Sequence, residues 1–171
     1  MSTTPGRLLE LDDAEIIAAV DRAIAALAEP RQLLEDIGAA LEQNADLRFD
    51  AKVDPTGAPW APLARNTVEY WYAKKYPEGI PGSLLERSRK LRDTLTYNVG
   101  DDWLEIGTSR AVPGKSQPEW QVGLLHEFGT AKMPRRGILT ADPKRGELGR
   151  QDREDVLDVI SQALGDAFTA R

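Results

Sequence analysis

Apolar side chains recur every three to four positions at both ends of the chain. Between residues 12 and 28, Ile16, Ile17, Val20, Ile24 and Leu27 share one helical face, and Asp12 with Glu15 three residues later forms a capping-box pattern. Pro30 lacks an N–H to donate, so it ends this helix and suits the start of the next. Leu33, Leu34, Ile37, Leu41 and Leu47 predict a second helix to about Leu47. Asp50 to Pro62 holds three prolines and a glycine and reads as a loop, with Trp60 as its apolar anchor. Short helices are predicted from Thr67 to Lys75 and from Ser83, the latter grouping Leu84, Leu85, Ser88 and Leu91.

The period then changes to two. Leu95, Tyr97 and Val99, a turn at Gly100-Asp101, and Leu104 and Ile106 predict an antiparallel hairpin with one buried face and Trp103 on the other. Ala111 to Glu119, with Pro113-Gly114 and Pro118, reads as a loop able to order on contact in an assembly. Trp120 to Phe128 fits either a helix turn or a strand, and a short helix is favoured. Leu148 to Ala167 carries Val156, Leu157, Ile160, Leu164 and Phe168 at helical spacing, with the charge run Arg150 to Asp155 forming its solvated first turns. The fold class is therefore α+β: long N-terminal helices packed on a small antiparallel sheet, with a C-terminal helix. The organisation expected is a helical extension over 1–29, an α+β domain over 30–141, and a C-terminal helix over 142–171 in the same or an adjoining unit.

A chain of 171 residues, 41% hydrophobic and 29% charged, has enough material for one well-buried domain. Residues 1–50 carry 11 acidic and 4 basic side chains, so most of the net charge of −6 lies at the N-terminal end. Acidity disfavours approach to phosphate, and the basic clusters at Lys74-Lys75, at Arg87, Arg89, Lys90 and Arg92, and at Arg135-Arg136 lack aromatic interleaving; DNA contact is not expected. No apolar run spans a bilayer and no leader pattern opens the chain, so no membrane is expected and assembly in the cytoplasm of the producing cell is. The absence of cysteine excludes disulfides and thiolate chemistry.

The only histidine, His126, stands beside Glu127 in Leu124-Leu125-His126-Glu127-Phe128-Gly129. A zinc peptidase helix needs a second histidine four residues on, and that position is Thr130. No Gly-x-Ser-x-Gly elbow presents a serine, Ser83 suits an N-cap, Asp101-Asp102 suit a turn, and no phosphate-binding glycine loop occurs. The expectation is no enzyme, no cofactor and no metal. His126 is then a partly buried side chain bonded to backbone, Glu127 faces solvent or a partner, Gly129 supplies a positive φ, and Arg135 and Arg136 form a surface pair or bridge to a neighbour's carboxylates.

Phe49, the Pro55-x-Gly57-x-x-Trp60-x-x-Leu63 loop with Thr67 after it, the Leu-rich segment Leu84 to Thr94, the hairpin, the His126-x-Phe128-Gly129 block and the Pro134-Arg135 turn occur in the order found in one protein group. The chain resembles the phage virion morphogenesis (tail completion) family, of the Mu-like prophage type, over roughly residues 34 to 139. Ser88 stands where that family has glycine, and Pro134-Arg135-Arg136-Gly137-Ile138 replaces a Pro-Ala-Arg-Pro-Phe turn. The resemblance implies a structural role in completing a tail or joining it to a head. It implies a ring-like homo-oligomer contacting tail tube or terminator and neck proteins, and residence in the virion tail or neck. Trp60, Leu63, His126, Phe128, Gly129, Pro134, Arg135 and Arg136 are the interface and structural candidates. The alternatives are an assembly chaperone absent from the particle, or a small hydrolase using His126 and Glu127.

Overall fold

The computed structural model describes residues 30–72, 84–85, 89–108 and 119–169, together with the helical positions Ala18, Asp21, Arg22, Ile24, Ala25 and Leu27. Asp12, Glu15, Ile16, Ile17, Val20, Ser83, Ser88 and the loop 111–118 lie outside the described residues, as do Lys74-Lys75 and Arg87.

Helix α1 runs Arg31–Ala51, four residues beyond the predicted end. Pro30, at φ −75°, leads into it without a side-chain cap. The helix closes at Lys52, whose left-handed backbone directs its N–H to the Arg48 carbonyl at 2.7 Å. Its buried stripe is Ile37, Gly38, Leu41, Ala45, Arg48 and Phe49. Leu47, predicted for that stripe, is exposed, because the periodicity passes through Ala45 and Phe49 and leaves position 47 on the other side. Ile24 and Leu27 are likewise exposed despite their helical spacing.

After a segment containing the π-helical turn Thr67–Tyr72, Leu84 and Leu85 form a turn with Leu85 at φ 68°, where a helix was predicted. Both pack partly against the core, so burial and not helical period explains their leucines. Among the described residues the helix of this segment, α2, is Lys90–Asp93. Strands β1 (Leu95–Val99) and β2 (Leu104–Thr108) pair antiparallel, Leu95 opposite Thr108 and Val99 opposite Leu104. Asp101 and Asp102 occupy the reversal, closed by the Gly100 N–H donating to the Trp103 carbonyl at 2.9 Å. A side chain at Gly100 would collide with the Trp103 ring, and one at Gly38 with the ring of Tyr97. Glycine at position 38 thus lets α1 lie close on the sheet.

Helix α3 is Glu119–Phe128 and helix α4 is Arg150–Thr169, which packs along α1. The core where these elements meet comprises Ala45, Phe49, Trp60, Leu91, Leu95 and Ile138. Two charged networks border it. Arg48 donates to the Ile138 carbonyl at 2.9 Å and to Asp152, and Asn44 donates to Asp152 at 3.1 Å and Asp155 at 2.6 Å. Asp152 is 1% exposed, so the Arg150 to Asp155 run is not wholly solvated: its third residue is a buried anion facing α1. On the opposite side of Phe49, Arg92 binds Asp46 and Asp50 through two hydrogen bonds each and lies 5.8 Å from the centre of the Phe49 ring. Those bonds hold both aspartate pKa values below 3.8. The N-terminal helical positions meet the end of α4 through Arg22, whose Nε donates to the Ala167 carbonyl at 3.0 Å.

Candidate functional site

Trp60 and the block from His126 to Thr140 lie far apart in sequence but form one structure. Trp60 is buried edge-on to Phe49, with ring centres 5.5 Å apart and planes at 78°. Its indole N–H donates to the Gly137 carbonyl at 2.9 Å, so the apolar body fills the core and the polar tip holds the second loop. The loop's own shape comes from Asp54, whose Oδ1 accepts the N–H groups of Thr56 at 2.8 Å and Ala58 at 3.1 Å. Trp60→Ala is expected to destabilise the fold by about 3 kcal/mol, the low end for a large core aromatic. Urea unfolding followed by circular dichroism measures it, and an unchanged midpoint would contradict the burial.

Glu127 does not face solvent or a partner as its place in the sequence suggested. It is 8% exposed, and its carboxylate turns into the following loop. Oε2 accepts the N–H groups of Ile138 at 2.7 Å and Leu139 at 3.1 Å, while Oε1 accepts the Thr140 N–H at 2.8 Å and the Thr140 hydroxyl at 2.5 Å. Three successive backbone donors thus converge on one anion. Arg135 braces the arrangement from below. Its Nε donates to the Glu127 carbonyl at 2.8 Å, its Nη2 donates to the Thr140 carbonyl and lies 3.5 Å from Glu127 Oε1, and its Nη1 lies 3.6 Å from Asp54. A side chain at Gly137 would occupy the space of this guanidinium.

Arg136 is also not half of a surface pair. Only 3% exposed, it donates through Nε to the Ala61 carbonyl at 2.7 Å and through Nη2 to the Pro62 carbonyl at 2.9 Å. Its backbone N–H donates to the His126 carbonyl at 2.8 Å. Proline at positions 59 and 62 supplies no N–H, and a long planar cation reaches two successive carbonyls of this stretch at once. Gly129 adopts φ 69°, and an added side chain would begin 2.9 Å from the Arg135 nitrogen.

The histidine side chain differs from expectation in its bonding. His126 is half-buried, but its Nδ1 is buried with no hydrogen-bond partner; the backbone bond of this residue belongs to its carbonyl. Burial, with a smaller contribution from the Arg136 charge, lowers its pKa from 6.5 to about 4. The unfolded chain therefore takes up the proton first, so stability is full above about pH 6.5 and falls as pH drops toward 4, by at most about 1.4 kcal/mol per unit. The Asp46 and Asp50 contributions are lost mainly as pH falls through and below 3.8, at the acid end of that window. His126→Gln is expected to flatten the slope of unfolding free energy between pH 4 and 6.5; an unaltered slope would contradict the buried neutral imidazole.

Of the other candidates, Leu63 is half-buried, Pro134 is exposed, and Phe128 is 53% exposed. Phe128 shares the outer side of α3 with the exposed Leu124 and Leu125. Arg48 and Asp152 were not foreseen, yet both carry a signal: each is a charge on an otherwise apolar helical stripe, Arg48 three residues after Ala45, and Asp152 four residues ahead of Val156 and in line with Ile160 and Leu164. Among the described residues no three His, Asp or Glu side chains converge to hold a metal ion, and no helix is long and apolar enough to cross a membrane.

A helix pair, a hairpin and a doubly clamped loop fit the element order of the family that the sequence resembles. Residues 11–165 match the phage virion morphogenesis family, and the chain belongs to it. The chain is also similar to the Mu-like prophage FluMu G protein 1 of Haemophilus influenzae, at 25% identity over 145 residues, covering 84% of this chain and 85% of that protein. No solved structure matches.

Proposed function

We propose that the protein completes a phage or prophage tail, or makes it competent to join a head, by binding other proteins as a ring of identical subunits and without covalent chemistry. The observation that carries this reading is the fate of the His126-Glu127 pair. The carboxylate that a hydrolase would use as base is saturated by four donors of its own loop, and the buried imidazole Nδ1 makes no hydrogen bond to it. The side chains of the same helix that face outward are instead Leu124, Leu125 and Phe128. Apolar exposure on a braced scaffold is the property of a binding surface. Family membership and the likeness to a prophage G protein support a place in virion assembly.

A ring requires two different complementary faces on each subunit. Light scattering with mass determination, over a concentration series and with tail-tube subunits added, is expected to show closed oligomers; a strict monomer under both conditions would sink the proposal. Finding the protein in purified particles separates a tail or neck component from a chaperone that leaves before completion. An acyl- or glycosyl-hydrolase activity abolished by His126→Ala in a folded protein would reopen the enzymatic reading.

A further inference from the structure

Among the described residues the hairpin leaves the outer edge of β2 unpaired beside an apolar groove. Gly100 and Trp103 are directly opposed and hydrogen-bonded, and bonded and non-bonded pairs alternate along an antiparallel ladder. Val99 with Leu104 and Tyr97 with Ile106 are therefore non-bonded pairs, and the N–H and C=O groups of Leu104 and Ile106 point away from β1. Among the described residues no backbone group pairs with them. Next to this edge a groove of about 250 Å³ opens between β2, α3 and the clamped loop, lined by Ile106, Leu124, Ile138 and Leu139. The charged residues lining it, Glu105 and Glu127, are both carboxylates. Glu127 is consumed by its loop, whereas Glu105 is exposed on the other face of β2 from Ile106 and has no cationic partner among the described residues.

We propose that the free edge of β2 and this groove receive an extended segment of a partner protein by strand addition, with apolar side chains on the Ile106 face alternating with lysine or arginine beside Glu105. The unpaired backbone groups of Leu104 and Ile106 supply the hydrogen bonds, the groove takes the apolar side chains, and the cross-strand carboxylate selects the charge. The proposal rests on the binding role given above and names the chemistry of one partner.

The test uses the full chain and a capped hexapeptide alternating valine and lysine, titrated in nuclear magnetic resonance spectra of the amide groups. The lysine peptide is expected to shift the Leu104 and Ile106 resonances and to bind at least tenfold more tightly than the same peptide with glutamate. Glu105→Lys, a surface change that leaves the fold intact, is expected to reverse that preference, and methylating the peptide's valine nitrogens to abolish binding. Equal binding of both peptides, shifts confined to Leu125 and Phe128, or binding that survives methylation each overturns the proposal. So does concentration-dependent shifting of Leu104 and Ile106 without peptide, which makes a second copy the occupant. If ring formation persists while the peptide fails, only the groove assignment falls; a strict monomer that still binds the peptide refutes the ring and keeps the groove.

Discussion

Glu127→Ala is expected to lower stability by about 4 kcal/mol, because three backbone N–H groups and a threonine hydroxyl lose one acceptor together. A single buried donor left unpaired costs on the order of 1–3 kcal/mol, and water entering through the adjoining groove recovers part of the total. Glu127→Gln keeps the length and one carbonyl oxygen but presents an NH₂ to donors, so about half of the loss is expected. Arg135 would remain over the vacated position, held only by carbonyls and by Asp54 at 3.6 Å. The measurement is equilibrium urea unfolding, with amide hydrogen exchange reporting Ile138, Leu139 and Thr140 individually. Near-neutral alanine and glutamine variants with unchanged exchange at these amides would refute the clamp.

Such a clamp explains why helices and the hairpin were readable from the chain while the joining loops were not. The alternation around Tyr97 and Ile106 and the spacing of Ile37 and Leu41 are local patterns, and each element keeps the face those patterns define. The Arg31–Ala51 and Arg150–Thr169 helices and the positive φ of Gly129 followed from rules acting over a few residues, whereas the Glu119–Phe128 helix lies in a segment whose pattern also fits a strand. Leu47 and Leu157 satisfied helical spacing and are nevertheless exposed, since spacing tells which residues share a side but not how wide a stripe the neighbours cover. Glu127 and Arg136 were misjudged for a further reason. Their partners are backbone groups at 138–140 and at 61–62, and backbone donors and acceptors exist at almost every position, so the sequence carries no mark of which ones converge.

The Trp60 loop shows the intermediate case. Its anchor was legible because a large aromatic between prolines has few uses other than burial, but the acceptor for its indole N–H, Gly137, became identifiable only with the second loop in place. The motifs that mark the family around Trp60, Phe128-Gly129 and Pro134-Arg135 thus surround a folding device. Trp60, Arg135 and Arg136 tie the two loops into one body, and that body sets the position of α3, whose Leu124, Leu125 and Phe128 are presented outward. In this arrangement the residues that brace the loops turn inward, and the apolar surface proposed for binding lies on other residues of the same block, Leu124, Leu125 and Phe128.

Asp152→Ala is expected to destabilise the protein by about 4 kcal/mol, because it strands the buried Arg48 guanidinium. The Ile138 carbonyl would be its remaining bonded neighbour in that place, and a neutral carbonyl does not balance a buried cation. Asn44 would keep Asp155 at 2.6 Å, so the contact between α1 and α4 would loosen at its buried side first. The pair sits between those helices and touches the clamped loop through Ile138, whose N–H Glu127 accepts, so Asp152→Ala and Glu127→Ala share a partner and their losses are expected to depart from additivity when combined. Replacing both charges by apolar residues, Arg48→Met with Asp152→Leu, is expected to recover most of the stability, since neither charge then has to be desolvated. Calorimetric melting of the two single variants and the double variant supplies the comparison. If the double variant is as unstable as Asp152→Ala alone, the stranded cation is not the cause and lost packing between the helices is.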